Sequence, residues 1–241
     1  MSAHGAAGGR PRNPGVAGLT NPLIVALDTD DPRRLAELAA AVAPHAGLLK
    51  VGLQAFTALG PAAVTTAGQH AEVFFDGKLH DIPNTVAAAA AAAARMGIAM
   101  LTVHASGGPA MIAAVCKAAP EITILAVTVL TSLDDADLAV VGQPPVAQQV
   151  VRLAGMAVES GACGVVCAAG DVAAVRAEIG DGPAVVVPGI RPSGSTGDDQ
   201  RRTADARTAL RAGASHLVVG RPITQAGDPA AAAAALLAEI A

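Results

Sequence analysis

Phe74-Phe75-Asp76-Gly77-Lys78-Leu79-His80-Asp81-Ile82-Pro83-Asn84-Thr85 places two acids and a lysine between an apolar run and a helix-forming one. If residues 73–78 are extended, side chains alternate, so Phe74, Asp76 and Lys78 point to one face and Phe75 and Gly77 to the other. Asp76 and Lys78 are then neighbours at the end of a strand. Pro83 suits a first helical turn, and residues 85–95 are almost all alanine, the strongest helix former. The acid and the lysine therefore sit at a strand-to-helix junction, where α/β folds keep their chemistry. Taken alone, such a pair also matches a weak surface ion pair, and the rest of the chain has to decide.

Working outward, short β-branched or leucine-rich runs alternate with longer alanine-rich amphipathic ones from Leu23 onward. The predicted strands are 23–28, 47–51, 72–78, 98–104, 122–128, 164–168, 184–188 and 216–220. Helices are expected to start near Pro32, Gln54, Pro83, Pro109, Pro145, Asp171, Asp198 and Pro229. Eight alternating pairs predict an α/β fold, a closed (β/α)₈ TIM barrel spanning 21–241 as a single domain, with a doubly wound open sheet as the runner-up. Asp31-Pro32, Gly108-Pro109 and Asp228-Pro229 are ordinary helix-start punctuation. Residues 132–149 are long for a loop and predict an extra short helix. The Gly/Ser-rich stretch 191–200 suits a loop that closes over a ligand. Residues 1–20, rich in Gly, Pro and Ala and without a continuous apolar block, read as a disordered extension or a misplaced start.

Composition excludes several function classes. The 241 residues are 52% hydrophobic but contain no Trp, no Tyr and three Phe, so the core must be Ala, Val, Leu and Ile and base stacking on aromatic rings is not available. A formal net charge of −4 argues against a nucleic-acid backbone as partner, while leaving a small anion possible. No apolar run reaches the roughly 20 residues a bilayer needs, so no membrane partner is expected. Cys116, Cys163 and Cys167 form no paired framework, and small core thiols in a reducing cytoplasm fit best.

Reading off the C-terminal ends of the predicted strands collects Asp28, Lys50, Asp76 with Lys78, His104, residues 128–132, Arg191 and Gly220-Arg221. Apolar strand interiors with ionisable tips are what an active site on a packed barrel predicts. Gly220-Arg221, followed by a short helix, and Arg191 after the seventh strand form the expected phosphate cradle. The histidines lack ligand spacing and the tip acids are matched by lysines, so no metal is expected. His104 reads as a partly buried residue that packs or positions a neighbour. A Schiff-base role for Lys50 or Lys78 is disfavoured because flanking aspartates raise a lysine's pKa. Lys78 reads instead as an ammonium acting as an acid.

These blocks together resemble the orotidine 5′-phosphate decarboxylase family, in the short form of its common bacterial branch. The likeness runs from Leu23 to about Leu237. It rests on Ala26-Leu27-Asp28, Lys50-Val51-Gly52, the D-x-K-x-x-D-I-x-x-T element from Asp76 to Thr85, Val103-His104-Ala105, the block 127–132, Pro188-Gly189-Ile190-Arg191 and the block 219–224. The resemblance implies cofactor-free conversion of orotidine 5′-phosphate to UMP and CO₂, the last step of de novo pyrimidine synthesis, by a homodimer with shared sites. It implies that Asp28 and Lys50 bind the ribose hydroxyls and that Lys50 also joins a charged Lys-Asp-Lys-Asp array. Asp76 would face the departing carboxylate, Lys78 would protonate C6, and Asp81 and Thr85 would reach into the partner's site. Thr131, with Ser132 beside it, would meet the pyrimidine or its carboxylate, and Arg191, Gln200, Gly220 and Arg221 would hold the phosphate.

Two rival readings remain. Sugar-phosphate enzymes on the same barrel, such as a 3-keto-gulonate 6-phosphate decarboxylase or a hexulose-phosphate synthase, share the D-x-K-x-x-D element but use Mg²⁺, held partly by an acid where this chain has Lys50. A non-catalytic barrel that binds a nucleotide phosphate would need neither Asp76 nor Lys78.

Overall fold

A computed structural model of the chain describes residues 21–190 and 205–240. The predicted N-terminal extension, the 191–200 loop with Arg191 and Gln200, and the helix start near Asp198 lie outside the described residues. Eight parallel strands close on themselves in chain order: β1 (Leu23–Ala26), β2 (Leu48–Val51), β3 (Val73–Leu79), β4 (Met100–His104), β5 (Thr123–Val127), β6 (Gly164–Val166), β7 (Ala184–Val187) and β8 (His216–Val219). Pairing of β1 with β8, Leu23 opposite Leu217, closes the barrel and rules out the open sheet. Each predicted strand is present with its ends shifted by no more than two residues.

Alternation along each strand divides the core in two. Ile24, Leu48, Phe74, Met100, Leu125 and Val186 fill the barrel interior. Their neighbours Val25, Leu49, Phe75 and Leu101 point outward, into a second layer beneath the helices. With both faces buried, the strands read as continuous apolar runs, as parallel sheets do.

Helix starts follow the local chemistry. Asp31 caps α1 (Pro32–Val42) by accepting from the backbone N–H groups of Arg33 and Arg34. After β2 come α2 (Leu53–Leu59) and α3 (Pro61–Gly68). Pro83 opens α4 (Pro83–Ala94) as expected. Helix α5 (Gly108–Ala118) follows β4. The predicted extra helix is α6 (Asp135–Val140), closed at its start by a reciprocal Asp134–Asp137 capping box. It leads to α7 (Val146–Glu159), α8 (Val172–Ile179), α9 (Ala206–Arg211), the single-turn α10 (Arg221–Thr224) and α11 (Pro229–Ile240). Among the described residues no helix is long and apolar enough to cross a membrane.

The barrel floor holds a polar anomaly. His216 and Thr123 open β8 and β5 two residues before the inward Val218 and Leu125, and both are buried. Neither ring nitrogen of His216 has a hydrogen-bond partner among the described residues, nor does the Thr123 hydroxyl. Burial pushes the His216 pKa down to about 4. The folded protein keeps this imidazole neutral while the unfolded chain protonates it near pH 6.5. Between pH 6.5 and 4 the unfolded state therefore binds more protons, and stability present above 6.5 is lost as the pH falls. The loss amounts to about 3 kcal/mol. Denaturant midpoints from pH 7 to 4 should show this decline in the natural protein and a shallower one in His216→Leu; parallel slopes in the two would refute the assignment.

Candidate active site

The C-terminal rim of the barrel gathers four charged side chains into a chain of contacts. Lys50 is carried on β2 and is buried to 7% exposure, although it is a lysine. Its Nζ lies 3.2 Å from Asp28 Oδ1 and 3.6 Å from Asp76 Oδ2. Lys78 Nζ donates to the same Asp76 Oδ2 at 2.7 Å. Asp76 thus stands between two ammonium groups. Thr102 Oγ1 on β4 donates to its other oxygen, Oδ1, at 2.9 Å. Burial alone would raise the Asp76 pKa, but the charges of Lys50 and Lys78 and the hydrogen bonds from Lys78 and Thr102 together outweigh it and hold the carboxyl below its ordinary range. Asp76 is an anion at neutral pH.

Two glycines lie in close quarters at this rim. A Cβ on Gly52, just after β2, would lie 2.7 Å from Lys50 Nζ and 2.9 Å from Asp28 Oδ1, so a side chain there would push that pair out of its present position. A Cβ on Gly77 would sit 2.8 Å from the Phe75 ring. Here the structure departs from the regular alternation expected of residues 73–78. The β3–β4 register shifts between Phe75 and Leu79, and Lys78 adopts a φ of 47°, the one positive φ on a non-glycine among the described residues. Asp76 and Lys78 still meet, through this bulge rather than through straight alternation.

A cavity of about 590 Å³ opens over the cluster. Of the expected site residues, Asp28, Lys50, Asp76, Lys78, Thr131, Gly220 and Arg221 line it, and its apolar wall includes Val127, Val166, Pro188 and Ile190. Ser132 is exposed and outside the lining. Val129, Leu130 and Thr131 of the turn after β5 all line the cavity, and the chain leaves it at Ser132. Asp81 and Thr85 are also exposed and outside the lining, with Asp81 Oδ1 accepting from the Ile82 backbone at 2.6 Å. Thr128 is structural, its hydroxyl donating to the Val166 carbonyl at 2.9 Å. His104 does not line the cavity, and its ring stands 5.5 Å from that of His80. Burial, then the nearby His80 and Lys78, lower its pKa despite Asp76. That agrees with a packing histidine.

Sequence reasoning passed over Thr102 and Gln225. Thr102 holds Asp76 from a neighbouring strand, and Gln225 lines the cavity just past α10. The available signal for Thr102 was its spacing: it is the one hydroxyl between the inward Met100 and the strand-tip His104.

A closed (β/α)₈ barrel with an alternating Lys–Asp array at its C-terminal rim, an apolar cavity wall and an arginine after β8 defines an enzyme built to work on a small anionic substrate. The comparisons name the family. Residues 21–236 match the model of the orotidine 5′-phosphate decarboxylase / HUMPS family, and the chain belongs to it. A protein of Anaeromyxobacter sp. (strain K) named orotidine 5′-phosphate decarboxylase is 58% identical over 204 residues, covering 83% of this chain and 89% of its own. One of the same name from Thermobifida fusca is 51% identical over 222 residues, covering 91% of this chain and 95% of its own. The crystal structure of orotidine 5′-phosphate decarboxylase from Lactobacillus acidophilus superposes with a TM-score of 0.81 at 39% identity, covering 91% of this chain and 99% of that one.

Proposed function

We propose that this protein decarboxylates orotidine 5′-phosphate to UMP and CO₂ without a cofactor, closing pyrimidine nucleotide synthesis in the cytoplasm. The observation that carries the reading is the Lys50–Asp76–Lys78 array, which lines a cavity that also reaches Arg221. Family membership and the names of the relatives support it. Residues 21–241 act as one catalytic domain.

The chemistry calls for this arrangement. When the C6–carboxylate bond breaks, its electron pair stays on C6 in an in-plane orbital that the ring cannot delocalise. Stabilisation must therefore come from fixed charge, and the Lys78 ammonium supplies it where the pair develops. Lys78 then gives a proton to C6 and regains one from solvent, so one proton is taken up for each CO₂ released. Asp76, held anionic, faces the substrate carboxylate; their repulsion is relieved as CO₂ leaves. Lys50 keeps Asp76 charged while pairing with Asp28, and both are placed to bind the ribose hydroxyls. Thr131, with Ser132 next to it, addresses the pyrimidine. Gly220 and Arg221, joined by Arg191 and Gln200 from outside the described residues, hold the phosphate.

The exposed Asp81 and Thr85 find their use across a homodimer. Ile82 beside them is 66% exposed, and Leu53, after the adjacent strand β2, is 54% exposed. Apolar side chains standing in solvent next to two polar residues unused by their own cavity suit a face covered by a second copy, into whose site Asp81 and Thr85 would project.

The Mg²⁺-dependent alternative meets a physical obstacle. A cation bridging Asp28 and Asp76 would have to occupy the place of the Lys50 ammonium, which contacts both acids. Among the described residues no three His, Cys, Asp or Glu side chains gather as a metal set. Incubation with orotidine 5′-phosphate should yield UMP and CO₂ in equal amounts. Tight nucleotide binding with unchanged substrate would support the non-catalytic reading instead.

A further inference from the structure

We infer that Thr102 is a positioning residue for this reaction, its hydroxyl orienting the Asp76 carboxylate and pinning the backbone of Lys78 at once. The inference deepens the decarboxylase reading and rests on it. Thr102 is fully buried in the middle of β4. Its Oγ1 accepts from the Lys78 backbone N–H at 2.9 Å and donates to Asp76 Oδ1 at 2.9 Å. A hydroxyl carries one proton. With the Lys78 N–H directed at the oxygen, that proton is committed to Asp76.

Two consequences follow for the reacting groups. Because Oδ1 is tied to Thr102, it is Oδ2 that meets Lys78 Nζ at 2.7 Å and Lys50 Nζ at 3.6 Å, and the carboxylate is fixed about its terminal torsion. Lys78 itself occupies a strained backbone region, φ 47°, where the β3–β4 pairing slips. Such a conformation persists only where its surroundings determine it. The Thr102 hydroxyl supplies the hydrogen-bond partner that the interrupted ladder does not give the Lys78 N–H. One side chain therefore sets the aim of the carboxylate and the launch point of the lysine.

The geometry separates the hydroxyl from the methyl group. Thr102→Val keeps the shape and removes the hydrogen bonds; Thr102→Ser keeps the hydrogen bonds and removes the methyl. The Val variant should lose about 10- to 100-fold in kcat while its affinity for UMP stays within about threefold, because misplaced reacting groups cost rate more than binding. The acid limb of its kcat/KM profile should move to higher pH, since Asp76 loses a hydrogen bond to its charged form. The Ser variant should recover most of the rate. Should the Val variant fail to fold, Thr102→Ala measured against Thr102→Ser makes the same comparison. A Val variant with unaltered kcat, or a Ser variant as slow as the Val one, would overturn the inference while leaving the decarboxylase reading intact. A natural protein without turnover would instead defeat the decarboxylase reading, and the Thr102 role with it.

Discussion

Lys78→Ala is expected to lower kcat by at least about 10⁴-fold, a combined loss of the developing-charge partner and the proton donor. That corresponds to about 5 kcal/mol of transition-state stabilisation. Affinity for UMP should change by less than about tenfold, because the residues proposed to hold the phosphate and ribose, among them Arg221, Asp28 and Lys50, are unchanged in the variant. Asp76 keeps Lys50 and Thr102 as partners in the variant, so the site is not left with a lone buried charge. Steady-state kinetics alongside UMP titration separates the two quantities. Turnover within tenfold of the natural protein would remove Lys78 from the proton-transfer step.

Mixing two inactive variants should regenerate activity. If Asp81 completes the partner's site, Asp81→Ala and Lys78→Ala disable different halves of a shared site. Each mixed dimer then carries one site with both lesions and one with neither. At equal subunit amounts and free exchange, half of the dimers are mixed, and about one quarter of the natural activity should return. The variants would be mixed under conditions that let dimers dissociate and re-form, with exchange checked by differently tagged subunits. Verified mixed dimers that stay inactive would place Asp81 outside the shared site. The exposed position of Asp81 and Thr85, away from the cavity of their own chain, is the feature that motivates this test.

The barrel was legible because each strand is a short apolar run with both faces buried and many helices announce themselves by local chemistry. Asp31 before Pro32 and Pro83 before the alanine tract are examples, and both stand at helix starts in the structure. Site residues at strand tips were legible for the same reason: once a strand's end is placed, the polar residue there is placed too. Asp28, Lys50, Asp76 and Gly220 entered the cavity in this way. What lay beyond the sequence was backbone geometry and partnership between strands. Gly77 is compatible with a bulge, but nothing in the sequence says that Lys78 rather than Gly77 takes the positive φ. A lone threonine in a strand looks like an ordinary β-former, and the contact of Thr102 with Asp76 spans 26 positions. The choice between Thr131 and Ser132 likewise depended on how the turn after β5 is aimed.

The most direct measurement follows the pyrimidine absorbance of orotidine 5′-phosphate after the protein is added in EDTA, since loss of the carboxylate changes the spectrum. Rapid conversion to UMP in chelator is the predicted result, with the stabilising charge supplied by Lys78 and its Lys50–Asp76 support. No conversion under these conditions, together with action on a ketose phosphate once Mg²⁺ is added, would contradict it and assign the barrel to sugar-phosphate chemistry.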